Sequence, residues 1–145
     1  MKNDNNLFFV CSLIEYIARQ TQNRRSDVVK QLGTGVKQIY DYADVFHCEP
    51  IAKVADDFIK KDHITNGEYD NISVCRYLVP DYWDIGEVFA RLIEDCCGKK
   101  DVIDGLKEVY SSWLTEEIMN FNSDLYYQSR DYIAECYRAG EILLG

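Results

Sequence analysis

Asn5-Asn6-Leu7-Phe8-Phe9-Val10-Cys11-Ser12-Leu13-Ile14-Glu15-Tyr16-Ile17-Ala18-Arg19-Gln20 decides the fold class. Leu7, Val10, Cys11, Ile14, Ile17 and Ala18 recur every three or four positions, which is the period of an α-helix. Phe8, Phe9, Leu13 and Tyr16 widen the apolar stripe around most of the circumference. A helix of that kind has no face for water and must be enclosed by its neighbours. The stretch therefore predicts an all-α protein with this helix at its centre.

The same period continues outward. Thr21 to Arg25 reads as a polar turn, and Ser26 as the N-cap of a short helix over 27–32 closed by Gly33. Thr34-Gly35 opens a helix over 36–46 with Ile39, Tyr40, Ala43 and Phe46 inward. Pro50 suits the start of the next, where its missing N–H costs nothing, and Val54, Ala55 and Phe58 form its stripe. Thr65-Asn66-Gly67-Glu68 is the clearest break, and any subdivision of the chain falls at 65–70. Residues 71–79 alternate loosely and are expected to be a short extended segment ended by Pro80. Asp81 caps a helix carrying Ile85, Val88, Phe89, Leu92, Ile93 and Cys96, with Asp84 favourably placed in its first turn. Gly98 ends it, and Asp101 caps another whose face includes Ile103, Leu106, Val109, Tyr110, Trp113 and Leu114. A helix or turn covers 115–120, and Ser123 caps the last helix. The expectation is six or seven helices in one bundle spanning residues 1–145.

Composition bounds the function classes. Hydrophobic residues make up 47% and charged residues 28% of 145, which is globular rather than disordered. No apolar run approaches a membrane span, and the polar start Met1 to Asn6, followed by Glu15 and Arg19, argues against a secretory leader. Several of the six cysteines fall on apolar helix stripes, where they act as small hydrophobes. Reduced thiols and a cytoplasmic location are expected. The net charge of −9 is uneven. Residues 1–70 hold nine Lys/Arg against eleven Asp/Glu, a net −2; residues 71–145 hold seven against fourteen, a net −7. The second half suits a basic partner and repels a phosphate backbone.

The usual chemical constellations are missing from the sequence. His47 and His63 are the two histidines, and neither has Cys or His at chelating spacing, so no metal or cofactor site is expected. Gly33 and Gly35 are not followed by the Lys-Ser/Thr pair of a phosphate loop. Asp41, Asp44, Asp56 and Asp57 are at helical spacing and read as solvated helix faces rather than a cation site or an acid–base pair. Cys96-Cys97 is a vicinal pair, and Cys96 fits the core stripe. No catalytic residue is assigned.

Two recognition signals remain. Residues 26–41 read like a helix-turn-helix around a central glycine. In that arrangement Thr34, Lys37 and Gln38 would face the major groove, with Arg24 and Arg25 on phosphates. Asp41 and Asp44 on the same helix oppose it, so nucleic acid is the second choice. The other signal is aromatic: eleven tyrosines, seven of them after residue 70. Tyr and Trp offer large contact area at low entropic cost and are enriched at interfaces.

Phe8-Phe9-Val10-Cys11, Ile14-Glu15-Tyr16-Ile17-Ala18 and Ser26-Asp27-Val28-Val29, then a glycine, Ile39-Tyr40-Asp41 and Asp44-Val45-Phe46-His47, lie within Phe8 to Ile59. That segment resembles a family of short bacterial helical proteins of uncharacterised function, often encoded beside an ADP-ribosyltransferase-like protein. The resemblance implies a toxin–antitoxin or accessory role and carries over no catalytic residue. The stretch from Val79 to Gly86 extends beyond the family's pattern.

The sequence therefore predicts a non-enzymatic protein-binding module. Its candidate contact residues are Tyr82, Trp83, Asp84 and Glu87 after Pro80, with Tyr126 and Tyr127 as second choice. The expected partner is a protein with a basic surface, with self-association through the same residues as an alternative. A small enzyme is the third class; a pocket joining His47 or His63 to a thiol or carboxylates would mark it.

Overall fold

Asp4 starts the first helix by accepting the Leu7 backbone N–H at 3.0 Å, which satisfies one of the donors left over at a helix N-terminus. Helix α1 (Asn5–Thr21) then runs to Gln22, whose left-handed backbone returns its N–H to the Ala18 carbonyl. The computed structural model describes residues 4–143. Among the described residues the regular elements are nine α-helices and one 3₁₀ turn, with no strand. After α1 come α2 (Arg25–Leu32), α3 (Gly35–Asp41), α4 (Ala43–Phe46) and α5 (Ile51–Lys61). A long connection leads to α6 (Tyr82–Cys97), α7 (Val102–Tyr110), α8 (Trp113–Met119), the 3₁₀ turn Leu125–Tyr127 and α9 (Arg130–Ala139).

The apolar circumference of α1 makes it the hub. It packs against α2, α3, α4, α5 and, most extensively, α6. Leu7, Phe9, Val10, Leu13, Ile14 and Ile17 are all buried on it, each contributing about 1.5–3 kcal/mol of transfer free energy. The α1–α6 contact is close because Gly86 faces Ser12: a Cβ at residue 86 would sit 2.8 Å from the Ser12 backbone nitrogen. Helices α7 and α9 pack on α6, and Phe89 stacks on the buried Tyr110 with ring centroids 4.6 Å apart. The buried apolar side chains form one cluster extending from Leu7 to Cys136.

Several local expectations are corrected. Helix α2 begins at Arg25, so Ser26 lies in its first turn and caps nothing. A cap is worth about 1 kcal/mol, and anchoring Arg25 to the buried Glu15 outweighs it. The stretch 36–46 is two helices, broken at Tyr42, and the break expected after Leu114 falls earlier, at Ser111–Ser112. Neither break holds Gly or Pro, and a break of one or two residues barely disturbs the apolar spacing. Nine helices stand where six or seven were expected, and the break at Tyr42 supplies one of the additional ones. The second break turns Trp113 outward while Leu114 stays buried. The last helix is capped by Ser129, not Ser123, whose hydroxyl instead donates to the Asn120 carbonyl at 2.8 Å. Residues 71–79 form turns and bends rather than an extended segment. Among the described residues no strand lies beside them, and the Asn122 side chain bonds their backbone at Val74 and Arg76 instead.

Candidate functional site

Asp81 caps α6 by accepting the Asp84 N–H at 2.7 Å. This fixes the direction in which Tyr82 and Trp83 leave the helix. Both rings are half-buried against α1 and α4. Tyr16 meets Tyr82 edge-on at 5.1 Å, Phe8 lies 5.5 Å from Trp83, and His47 stacks on Trp83 at 5.7 Å. His47 also packs on Phe9 at 5.1 Å, so its imidazole is a spacer between aromatic rings. Asp84 is exposed and makes no ion pair among the described residues, whereas Glu87 is paired with Arg91 one turn on.

The second group of rings lies alongside. Tyr126 packs edge-on against the buried Phe121 at 5.6 Å and against Tyr127 at 5.1 Å. Burial, with Asp84, Tyr127 and Asp81 nearby, pushes the Tyr126 hydroxyl up to about 12. Asp84, a member of the first predicted set, and the neighbouring Asp81 therefore lie near Tyr126 of the second. Tyr127 is more exposed and donates its hydroxyl to the Phe121 carbonyl at 3.1 Å.

The connection between α5 and α6 adds Val74 and Leu78, which sequence reasoning missed, and Tyr77, which it counted among the tyrosines without making it a contact residue. Val74, Tyr77 and Leu78 are 61%, 58% and 92% exposed, and Tyr77 approaches Tyr127 with centroids 6.0 Å apart. This segment is fastened along its length. Asn23 donates to the Thr65 carbonyl at 2.7 Å, and Gly67 and Tyr69 donate their N–H groups to Thr21 and Gln22. Asn71 donates to the Met119 carbonyl at 2.7 Å. Asn122 donates to the Val74 carbonyl at 2.9 Å and accepts the Arg76 N–H at 2.8 Å. Arg19 donates to the Pro80 carbonyl at 2.5 Å. The only sequence signal was a run of apolar residues between two turn signals, and it says nothing about which side faces water.

Behind the strap lies a buried charge network. Arg25 donates to both oxygens of Glu15, at 2.7 and 2.5 Å, and each side chain is 1% exposed. Arg19 shares the same carboxylate at 2.7 Å. Arg25 is therefore an internal tie and not a phosphate contact, which corrects that part of the helix-turn-helix reading. Arg24 pairs with Glu116 and lies 4.7 Å above the Tyr69 ring. Lys37 is paired with Asp41 at 2.5 Å, Gln38 accepts from Lys61, and Thr34 is exposed just before α3. Four of these five candidates are engaged within the chain, and α3 carries no row of free cations.

Cys96 and Cys97 diverge. The Cys96 thiol points to the Ala134 carbonyl on α9 at 3.7 Å, and the Cys97 thiol to Glu108 on α7 at 3.3 Å. Burial and the Glu108 carboxylate push the Cys97 thiol up to about 11, so the pair packs two helices rather than presenting a chelate or a nucleophile. Among the described residues the six cysteines are free thiols, no three His, Cys, Asp or Glu side chains could hold a metal ion, and no helix is long and apolar enough to cross a membrane. No protein-family model matches the chain, and neither a curated protein nor a solved structure is similar to it at a significant level.

Proposed function

We propose that this chain is a non-enzymatic binding module that covers a basic functional patch on another protein, as an antitoxin or accessory subunit would. The observation that carries the reading is the charge around the exposed rings. Beside the rings stand Asp81, Asp84 and Glu87; Glu87 is paired with Arg91, and among the described residues Asp81 and Asp84 have no ion-pair partner. Arg19, at the edge of this surface, is already spent on Glu15 and Pro80. Exposed Tyr and apolar side chains supply contact area, and the unpaired carboxylates supply steering and register. Tyr82 and Trp83 support this surface from beneath more than they face a partner; Tyr77, Leu78 and Tyr127 form its outer layer, and Asp81 and Asp84 its charge.

The chain is to be co-expressed and co-purified with the products of its neighbouring genes, in wild-type form and with Asp81→Lys and Asp84→Lys. A stoichiometric complex that forms with the wild type and dissociates in the double variant or in high salt supports the reading. Failure of the neighbouring products to bind, or binding indifferent to the charge reversal, would falsify it.

A further inference from the structure

A single exposed leucine is ordinary on a protein surface. What sets the α5–α6 connection apart is that Val74, Tyr77 and Leu78 stand out together, beside Tyr127, on a segment whose backbone is held at both ends and in the middle. The Asn122 side chain spans the turn like a neighbouring strand, accepting from the Arg76 N–H and donating to the Val74 carbonyl. The Cys75 thiol closes the turn further by donating to the Tyr77 carbonyl at 3.3 Å. Apolar side chains that could turn inward if the loop were slack are thereby kept in water, at a cost to the isolated chain.

We infer that Val74, Tyr77 and Leu78 form a preset knob that enters an apolar socket on a folded partner protein, with Leu78 deepest and Lys or Arg side chains on the socket's rim meeting Asp81 and Asp84. This rests on the binding reading above and adds the shape of the partner. A knob already in its bound shape loses little conformational freedom on docking, which favours a structured cavity over a slack basic peptide. A second copy of this chain offers the wrong charge: knob against knob would bring together two copies of Asp81 and Asp84, which have no ion-pair partner among the described residues. The same carboxylates oppose insertion into an anionic bilayer.

The test places a photo-crosslinking phenylalanine at position 78 of the full chain in its native host and, for comparison, at the exposed position Lys99. The protein crosslinked from 78 but not from 99 is identified, purified and titrated with wild type, Leu78→Ser, Val74→Ser and Asp84→Lys. Leu78→Ser should weaken binding about 10- to 100-fold, the loss expected for a buried leucine side chain. The crosslinked peptide should line an apolar cavity with Lys or Arg at its mouth. These substitutions lie on exposed side chains, and thermal melts matching the wild type confirm that each variant is folded. If Asp84→Lys weakens binding while Leu78→Ser and Val74→Ser bind like the wild type, the knob is refuted and the acidic binding surface stands. If neither change matters, both fail. Crosslinking only to a second copy of this chain, or Leu78-dependent co-sedimentation with phosphatidylcholine vesicles in place of a protein, also overturns the inference.

Discussion

Glu15 and Arg25 form the most consequential polar contact in the molecule, and removing either partner should show it. Both side chains are 1% exposed, and the contact is bidentate. Glu15→Gln leaves the Arg25 guanidinium enclosed with no counter-charge and Arg19 close by. Breaking one side of such a pair costs about 3–5 kcal/mol. Unfolding entropy of about 2.1 cal/mol/K per residue gives about 0.3 kcal/mol/K for this length, so a 4 kcal/mol loss lowers the melting temperature by about 13 °C. Arg25→Met should cost less, at the low end of that range, because Arg19 still neutralises Glu15. The double variant Glu15→Leu/Arg25→Met should recover much of the loss, since a matched apolar pair removes both desolvation penalties. Arg24→Ala is the control: its bond to Glu116 is exposed, and such pairs are worth about 0–1 kcal/mol. Calorimetry on the four variants decides it. Melting within a few degrees of wild type for Glu15→Gln, or a double variant worse than either single one, would refute the claim that the buried pair ties α2 to α1.

Gly86→Ala should destabilise by about 1–3 kcal/mol despite alanine's better helix propensity, because the added methyl meets the Ser12 backbone, which cannot swing aside; denaturant titration measures it. Native-state thiol labelling should modify Cys48 first and leave Cys11, Cys97 and Cys136 protected until unfolding, since these three are buried and Cys11 is pushed up to about 12 by desolvation; early labelling of Cys11 would contradict its position in the core. Hydrogen bonds from Lys100, Tyr137 and Cys97 hold the Glu108 carboxyl down at about 2, below its ordinary 4.5. A depressed carboxyl stabilises the fold fully above its ordinary value, and that contribution is lost as pH falls toward 2. Urea midpoints should therefore drop less between about pH 5 and about pH 3 in Glu108→Gln than in the wild type, by a small margin because the group is solvent-screened.

The all-helical class, the central place of α1 and the caps at Asp81 and Asp101 were legible in the chain because each depends on neighbours within one or two helical turns. Gly33 as the end of α2 was legible for the same reason, since its left-handed φ of 55° favours a residue without Cβ. The candidate rings at 82, 83, 126 and 127 were legible as residue types. Their division into supporting and outward-facing members was not.

That division, like the fate of Arg25 and the shape of 65–81, belongs to the tertiary structure alone. A basic residue near a turn reads the same whether it meets a phosphate or a carboxylate ten residues away on another helix. Val74, Tyr77 and Leu78 read as part of a short extended segment until Asn122, 46 residues beyond Arg76, holds their turn open to water. Periodicity reports which side chains share a helical face. Which of two distant segments will satisfy a buried charge or a bare backbone carbonyl depends on contacts that exist only after the helices have closed on one another.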